Sequence, residues 1–233
     1  MKKLLSIAMS VFAASAFAAG STEIGLTEIS TTNQNTIVAV PFASLTNGVA
    51  DIAAKDLVKV ANLPLETQMF IFNGEQYSAF IVVDGAWSPL TNVTDVNVKG
   101  VTVSAGDANA TLVKGSAIWI VLPAAPAAPQ KLYIYGAYQT GVTSAIAKGM
   151  NLVANPLQGE ADFAITATKG DQITVPNDNA APTVYTYNGS TWKTVVNNEK
   201  IEGKPSVPAG RGFWYNSKAE SSGTMSWSLK SSN

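Results

Sequence analysis

Residues 207–217 have the sequence V-P-A-G-R-G-F-W-Y-N-S and contain the only arginine of the chain, Arg211, between two glycines. A glycine followed by a large apolar run is typical of a tight entry into a β-strand. A phosphate-binding loop would need a helix directly after the glycines, and three consecutive aromatic residues favour a strand instead. We therefore interpret the stretch as scaffold, with Trp214 in the core and Arg211 as a surface residue that tolerates substitution.

The same pattern recurs earlier in the chain, where K-G-S-A-I-W-I at 114–120 matches 209–215 at an offset of 95, from 214 − 119. Trp119 thus matches Trp214, and we expect a core position for it as well. Two further matches share an offset of 115, from 153 − 38: N-T-I-V-A-V-P-F at 35–42 with M-N-L-V-A-N-P-L at 150–157, and F-I-F-N-G at 70–74 with Y-T-Y-N-G at 185–189. Recurrence at one offset predicts an internal duplication.

The fall in the offset predicts extra residues in the first copy, since 115 − 95 leaves 20 residues between its Asn-Gly and its Gly…Trp. Residues 81–87, I-V-V-D-G-A-W, have the pattern of a hairpin on an Asp-Gly turn. We therefore expect an added hairpin near residues 80–90 of the first copy, without a counterpart in the second.

The two Asn-Gly dipeptides, at 73–74 and 188–189, favour two-residue type I′ turns, which need positive φ at both central residues. Such turns would place two aromatic pairs across the strands: Phe70 with Tyr77, and Tyr185 with Trp192. We expect these pairs to face the core, with a sugar-stacking platform as the alternative.

The fold class that these patterns predict is all-β, with two related antiparallel sandwich- or barrel-like repeats at residues 19–141 and 142–233. Alternating apolar residues predict strands at 131–135 and 224–229. One short helix is expected near residues 49–60, and the Pro-rich residues 123–129 are expected to form a loop.

The N-terminus has the pattern of an export signal. Lys2 and Lys3 precede an apolar run at 4–14, and A-F-A at 16–18 has the small residues that signal peptidase needs. We expect cleavage between Ala18 and Ala19, and a mature chain in the periplasm, at the cell surface or outside the cell. The run is too short to span a bilayer, so no integral membrane segment is expected to remain.

Composition narrows the possible chemistry. The chain has 233 residues, 13% of them charged, with a net charge of −1 and neither His nor Cys. A basic face for nucleic acid is therefore not expected, and neither is a catalytic triad, a cysteine nucleophile or a zinc site with N or S ligands. Paired carboxylates, a Ser-Lys dyad and sites with oxygen ligands stay open.

The remaining candidate groups have simpler interpretations. Asp107-Ala108-Asn109 after Gly106 is the nearest approach to a calcium loop, but a plain turn is favoured. Lys148 and Lys169 lie near serine or threonine residues, but loop lysines are commoner than Ser-Lys dyads. We expect no cofactor, no metal and no catalytic residue.

The motifs at 149–156, G-M-N-L-V-A-N-P, and at 208–214, P-A-G-R-G-F-W, resemble those of a loose group of secreted bacterial β modules. Those modules have a G-W-N-L-V-x-N-P strand followed by a P-A-G-x-G-F-W strand, and here Met150 replaces the usual Trp. The resemblance implies a β fold and an extracellular setting, and it implies no catalytic residues.

The function that we expect is that of an exported, non-enzymatic bacterial structural or surface-interaction protein, with other surface proteins or glycans as possible partners. A carbohydrate-binding module is the first alternative and would need exposed, coplanar aromatic rings. Candidates for them are Trp87, Tyr133, Tyr135 and Tyr138. The second alternative is a carboxylate-based hydrolase, with two acids across a cleft.

Overall fold

A computed structural model describes residues 24–42, 44–45, 51–72, 76–91, 102–107, 109–112, 115–137, 143–157, 159–177, 180–196 and 199–230. These residues form a nearly all-β structure, which confirms the predicted fold class. The predicted helix near 49–60 is a single turn, α1 (Ala54–Leu57), followed by a 3-10 turn at Val60–Asn62. The proposed signal residues 1–18 and the Ala18–Ala19 junction lie outside the described residues.

Strands follow one another along the chain in two halves. The strands of the first half are β1 (Ile24–Thr31), β2 (Asn35–Ala39), β3 (Ile52–Ala53), β4 (Gln68–Phe72), β5 (Gln76–Val83), β6 (Ala86–Pro89), β7 (Thr102–Ala105), β8 (Thr111–Leu112), β9 (Ala117–Val121) and β10 (Gln130–Ala137). The strands of the second half are β11 (Thr143–Ile146), β12 (Gly149–Ala154), β13 (Ala161–Ala164), β14 (Gln172–Asn177), β15 (Ala180–Tyr187), β16 (Trp192–Val196), β17 (Glu199–Glu202), β18 (Gly212–Ser217) and β19 (Gly223–Leu229). The predicted strands at 131–135 and 224–229 are confirmed as parts of β10 and β19.

Each half contains a larger sheet, and the two larger sheets have corresponding strand orders. The order is β2-β9-β4-β5-β6 in the first half and β12-β18-β14-β15-β16-β17 in the second. The pairs are antiparallel except that β7 runs parallel to β5. Smaller sheets pack on each larger one: β1-β10 and β3-β8 in the first half and β11-β19-β13 in the second. Both halves are therefore two-layered.

The pairing corrects the predicted Asn-Gly turns. Trp192 lies opposite Tyr187 rather than Tyr185, so residues 188–191 form a four-residue connection. The Asn188 Oδ1 accepts hydrogen bonds from the backbone N–H groups of Ser190 and Thr191, both at 2.9 Å. This side-chain turn replaces the tight type I′ turn.

The same shift occurs in the first half. Tyr77 lies opposite Phe72, and Phe70 lies opposite Ala79. The predicted pairing of Phe70 with Tyr77 is therefore wrong, although their rings still touch diagonally at 6.1 Å. The Asn73-Gly74 dipeptide itself lies outside the described residues.

The expected extra hairpin has a counterpart, so that prediction is wrong. β5 and β6 are joined by the two-residue turn Asp84-Gly85, whose φ angles are 50° and 74°. This hairpin occupies the same sheet position as β15 and β16, and Trp87 corresponds to Trp192 at an offset of 105, from 192 − 87. The Asn-Gly at 188–189 thus corresponds to the Asp84-Gly85 turn. The earlier Asn-Gly, at 73–74, falls in the sequence between β4 and β5 and is not its counterpart.

The extra residues of the first half lie on both sides of that hairpin. The offset between corresponding residues of the two halves falls from 115 to 105 before the β5-β6 hairpin and from 105 to 95 after that hairpin. The extra residues before the hairpin lie in the segment that forms β3, α1 and the 3-10 turn. The extra residues after it lie in the segment that forms β7 and β8. Internal duplication remains a prediction, now with this revised alignment.

The two halves touch through reciprocal contacts. Val38 bridges to Arg211, and Val153 bridges to Ser116. Val38 and Val153 are the pair at offset 115, and Ser116 and Arg211 are the pair at offset 95. Each bridge therefore has a counterpart in which the corresponding residues of the two halves are exchanged. This arrangement indicates an approximate twofold relation between the halves.

Apolar residues of both halves fill this junction. They are Ile37, Ala39 and Ala117 from the first half, and Leu152 and Ala154 from the second. Separate apolar cores lie inside each half, around Ile118 and Phe80 in the first and around Phe213 and Ile173 in the second. The junction therefore fixes the outer faces of the two larger sheets against each other.

Candidate functional site

A groove of about 710 Å³ opens beside the junction of the two halves. Its described lining residues are Asn33, Gln34, Asn35, Ile37, Trp119 and Ala125 from the first half, and Thr174, Pro176, Ala181, Pro182 and Trp214 from the second. All of these side chains are uncharged. Small-ligand sites typically occupy about 300–1,000 Å³, so the groove has the dimensions of a binding site.

Trp119 and Trp214 occupy corresponding places in β9 and β18, and both are half-buried. Tyr77 contacts both indole rings, with centroid distances of 5.9 Å to Trp119 and 6.0 Å to Trp214. Phe70 lies 5.2 Å from Trp119, and Phe72 lies 5.6 Å from Trp214. The tryptophans therefore pack on aromatic neighbours and also line the groove, which corrects the expectation of purely core positions.

The groove is open because corresponding sheet positions carry different residues. In β4, Phe70 lies opposite Trp119, and in β14, Thr174 lies opposite Trp214. Two residues further along each strand, Phe72 corresponds to Pro176. Side chains directly opposite each other share a face of the sheet. The aromatic rings that cover this face in the first half are thus replaced by small residues in the second.

Pro176 also shapes the edge of the groove. The pairing of β14 with β15 is irregular between Val175 and Asn177. Proline has no backbone N–H to donate, so within sheets it is found at such irregular positions. The resulting bulge carries Pro176 away from regular pairing, opposite the segment that contains Pro182.

The polar side of the groove is a short turn between β1 and β2. The hydroxyls of Thr31 and Thr36 hydrogen-bond across the base of this turn at 2.8 Å, in a buried position. The backbone N–H of Leu122 donates to the Gln34 carbonyl at 2.8 Å. Gln34 and Asn35 are exposed above this base. The turn therefore presents amide groups from a fixed backbone.

Arg211 belongs to the junction rather than to the free surface. Its Nη2 donates to the Ser30 carbonyl of the other half at 3.0 Å, and the residue is half-buried. Gly210, directly before it, has a φ of 70°. The interpretation of the Gly-Arg-Gly stretch as scaffold fits these contacts, and the description of Arg211 as a surface residue is corrected.

The aromatic candidates from the sequence do not form the groove. Trp87 is buried, and its Nε1 donates to the Val58 carbonyl at 3.0 Å. Tyr133 and Tyr135 are half-buried on β10, where the Lys59 ammonium lies 4.7 Å from the centre of the Tyr135 ring. Tyr138 lies outside the described residues.

Asp171 is a buried carboxylate with three hydrogen-bond donors. The Tyr215 hydroxyl donates to it at 2.6 Å, the Lys218 backbone N–H at 2.6 Å and the Thr168 backbone N–H at 2.9 Å. Burial and the bond to Asp171 together raise the pKa of Tyr215 above its usual value. The carboxylate thus joins the start of β14 to β18 as a structural element.

The other polar candidates make ordinary surface contacts. Asp107 Oδ1 accepts from the Asn109 backbone N–H at 2.8 Å, as in a plain turn. Lys148 pairs with Glu220 at 2.7 Å. Within the described ranges, no group of three or more acidic residues is placed to hold a metal ion.

The described part of the chain contains no helix long and apolar enough to cross a membrane. The fold and the site together define an all-β protein with two sandwiches and a tryptophan-lined groove between them, whose described lining residues are uncharged. Comparison of the chain with family models, with curated proteins and with solved structures finds no match.

Proposed function

We propose that the mature chain is an exported, non-enzymatic bacterial surface-interaction protein that holds its partner in the groove between its halves. The observation that carries this proposal is the open groove lined by Trp119 and Trp214, whose other described lining residues are also uncharged. Concave sites with aromatic walls and a few polar groups are typical of binding sites. Tryptophan is also enriched among the residues that dominate binding energy.

The chemistry of the lining supports binding over catalysis. General acid–base catalysis needs a group that exchanges protons near the working pH. The polar side-chain groups of the described lining are three amides, the hydroxyl of Thr174 and the indole N–H groups of Trp119 and Trp214. These groups hydrogen-bond without titrating, and the buried Asp171 is engaged by three donors elsewhere.

The N-terminal sequence supports export. Lys2 and Lys3, the apolar run and the small residues at 16–18 form a signal sequence, and cleavage between Ala18 and Ala19 releases the mature chain. An ancestral duplication would account for the corresponding orders of the two larger sheets and for the matched tryptophans. The groove would then have arisen when one copy lost its aromatic cover.

We expect the mature protein, purified from its native host and beginning at Ala19 by intact mass, to bind isolated cell envelopes reversibly. Thr174→Phe should weaken this binding at least tenfold, because a ring there would fill the groove as Phe70 fills the corresponding place. Co-sedimentation across a range of envelope concentrations measures the effect.

Thr186→Phe is the matched control, since Thr186 is an exposed residue of β15 outside the groove lining. This variant should bind envelopes as the parent does. Equal binding by both phenylalanine variants would show that the groove is not the contact site. Release of a new small product from the envelopes with turnover would contradict a non-enzymatic role.

A further inference from the structure

We infer that the groove is a binding site for a neutral glycan, whose pyranose rings pack on Trp119 and Trp214 while its hydroxyls bond to the exposed amides of Gln34 and Asn35. This inference rests on the proposed function and names the class of its ligand. It is carried by the composition of the lining, by the rigidity of the polar turn and by the asymmetry between the two halves.

The two tryptophans supply the apolar part of the site. A pyranose ring presents a face of C–H groups and an edge of hydroxyls, so it fits a surface that is apolar beside a polar rim. Indole rings combine a large apolar area with one N–H donor. Because Trp119 and Trp214 are fixed by Tyr77 and their other aromatic neighbours, little ordering is needed on binding.

The turn at residues 33–35 supplies the polar part. Asn and Gln side chains each offer two donors and an acceptor, so consecutive amides can satisfy hydroxyls in either direction. Thr174 adds a hydroxyl on the opposite wall. The paired hydroxyls of Thr31 and Thr36 and the bond from Leu122 hold the turn in place.

The absence of charge in the described lining selects the kind of glycan. A carboxylate or sulfate that leaves water without a cationic partner loses hydration that nothing replaces. Asn33, Gln34, Asn35 and Thr174 can bond hydroxyls but cannot neutralise an anion. Uncharged saccharides are therefore favoured over uronic acids, sulfated chains and phosphates.

A proline-rich peptide is the main competitor, because polyproline helices also dock in grooves lined by aromatic rings. The backbone of such a peptide offers mainly carbonyl acceptors. A groove that binds it therefore needs hydrogen-bond donors but few acceptors. The exposed amides of Gln34 and Asn35 provide acceptors as well as donors, which matches hydroxyls better. The experiment must therefore distinguish binding of a proline-rich peptide from binding of a glycan.

The two halves offer an internal comparison. On the first half, Phe70, Phe72 and Tyr77 cover the face beside Trp119. On the second half, Thr174, Pro176 and Pro182 leave the corresponding face open. Of the two faces that the approximate twofold relation makes equivalent, one is therefore filled by aromatic rings and the other is open. We accordingly expect one glycan to bind per chain.

The test is a titration of the mature chain with neutral oligosaccharides: β-1,4-glucose, β-1,4-N-acetylglucosamine, α-1,4-glucose and α-mannose hexamers. We expect at least one of them to change tryptophan fluorescence and to bind by calorimetry with a stoichiometry near one. Thr174→Phe should weaken that binding at least tenfold. Asn35→Ala, on an exposed amide, should weaken it about fivefold, and Thr186→Phe should leave it unchanged.

Three results would overturn the glycan inference: no response to any hexamer, equal binding by the Thr174→Phe variant, or tighter binding of uronic acid chains. Binding of a decaproline peptide that Thr174→Phe abolishes, without binding of sugars, would assign the groove to peptides. That result would leave the proposed surface-interaction function intact. Envelope binding that Thr174→Phe does not alter would instead reject the proposed function itself.

Discussion

Gly212→Val is expected to lower the free energy of unfolding by about 3 kcal/mol, the upper part of the usual range for overpacking. Gly212 begins β18 at the junction of the halves. A Cβ at this position would lie 2.4 Å from the Ile37 Cγ2 and 2.7 Å from the Val153 carbonyl oxygen. The second of these is a backbone atom of the paired strand and cannot move without disturbing the sheet. Urea unfolding of the variant and the parent measures the loss.

Gly223→Val provides the matched control for this prediction. Gly223 also begins a strand, β19, but an added Cβ there would meet nothing within 4 Å. Valine favours strands, so this variant should be as stable as the parent or slightly more stable. If both valine variants unfold at the same urea concentration as the parent, the close approach of the halves at Gly212 is wrong.

Asp171→Ala is expected to cost about 3 kcal/mol or more. The substitution removes the acceptor for Tyr215, Lys218 and Thr168, and a hydrogen bond to a charged group typically contributes about 1.5–3 kcal/mol. Tyr215 is buried, so its hydroxyl would lose its partner away from water. The change should appear as a lower midpoint in urea or thermal unfolding.

Two further variants check the cause of this loss. Asp171→Asn keeps one acceptor oxygen and should lose less stability than Asp171→Ala. Asp162→Ala, at an exposed residue of β13, should change stability by less than about 0.5 kcal/mol. If Asp171→Ala is as stable as Asp162→Ala, Asp171 does not join β14 to β18.

Local patterns in the sequence were sufficient for the fold class. Alternating residues at 131–135 predicted a strand, and Asp84-Gly85 predicted a tight hairpin, because only a few residue types adopt positive φ cheaply. Asn188-Gly189 was misread for a physical reason. Its Asn188 Oδ1 accepts hydrogen bonds from the backbone N–H groups of Ser190 and Thr191, which lengthens the connection.

The groove could not be predicted because it depends on register. The comparison of Phe70 with Thr174 requires the alignment in which Trp87 corresponds to Trp192, whereas the shared Asn-Gly dipeptides suggested a different one. A signal was present in the matched tryptophans Trp119 and Trp214. Recurrence of the Gly…Trp pattern in both copies indicated scaffold, but it did not show that only one copy would cover its tryptophan with its own aromatic rings.

In the proposed function, the groove between the halves is the contact face, and a single thiol can probe that face. The chain has no cysteine, so Thr174→Cys places one unique reactive group in the groove and Thr186→Cys places one outside it. The measurement is the rate of maleimide labelling of each variant, with and without saturating native envelopes. We expect envelopes to slow labelling at position 174 at least tenfold and to leave labelling at position 186 unchanged. Equal rates at position 174 with and without bound envelopes would contradict the proposed contact face.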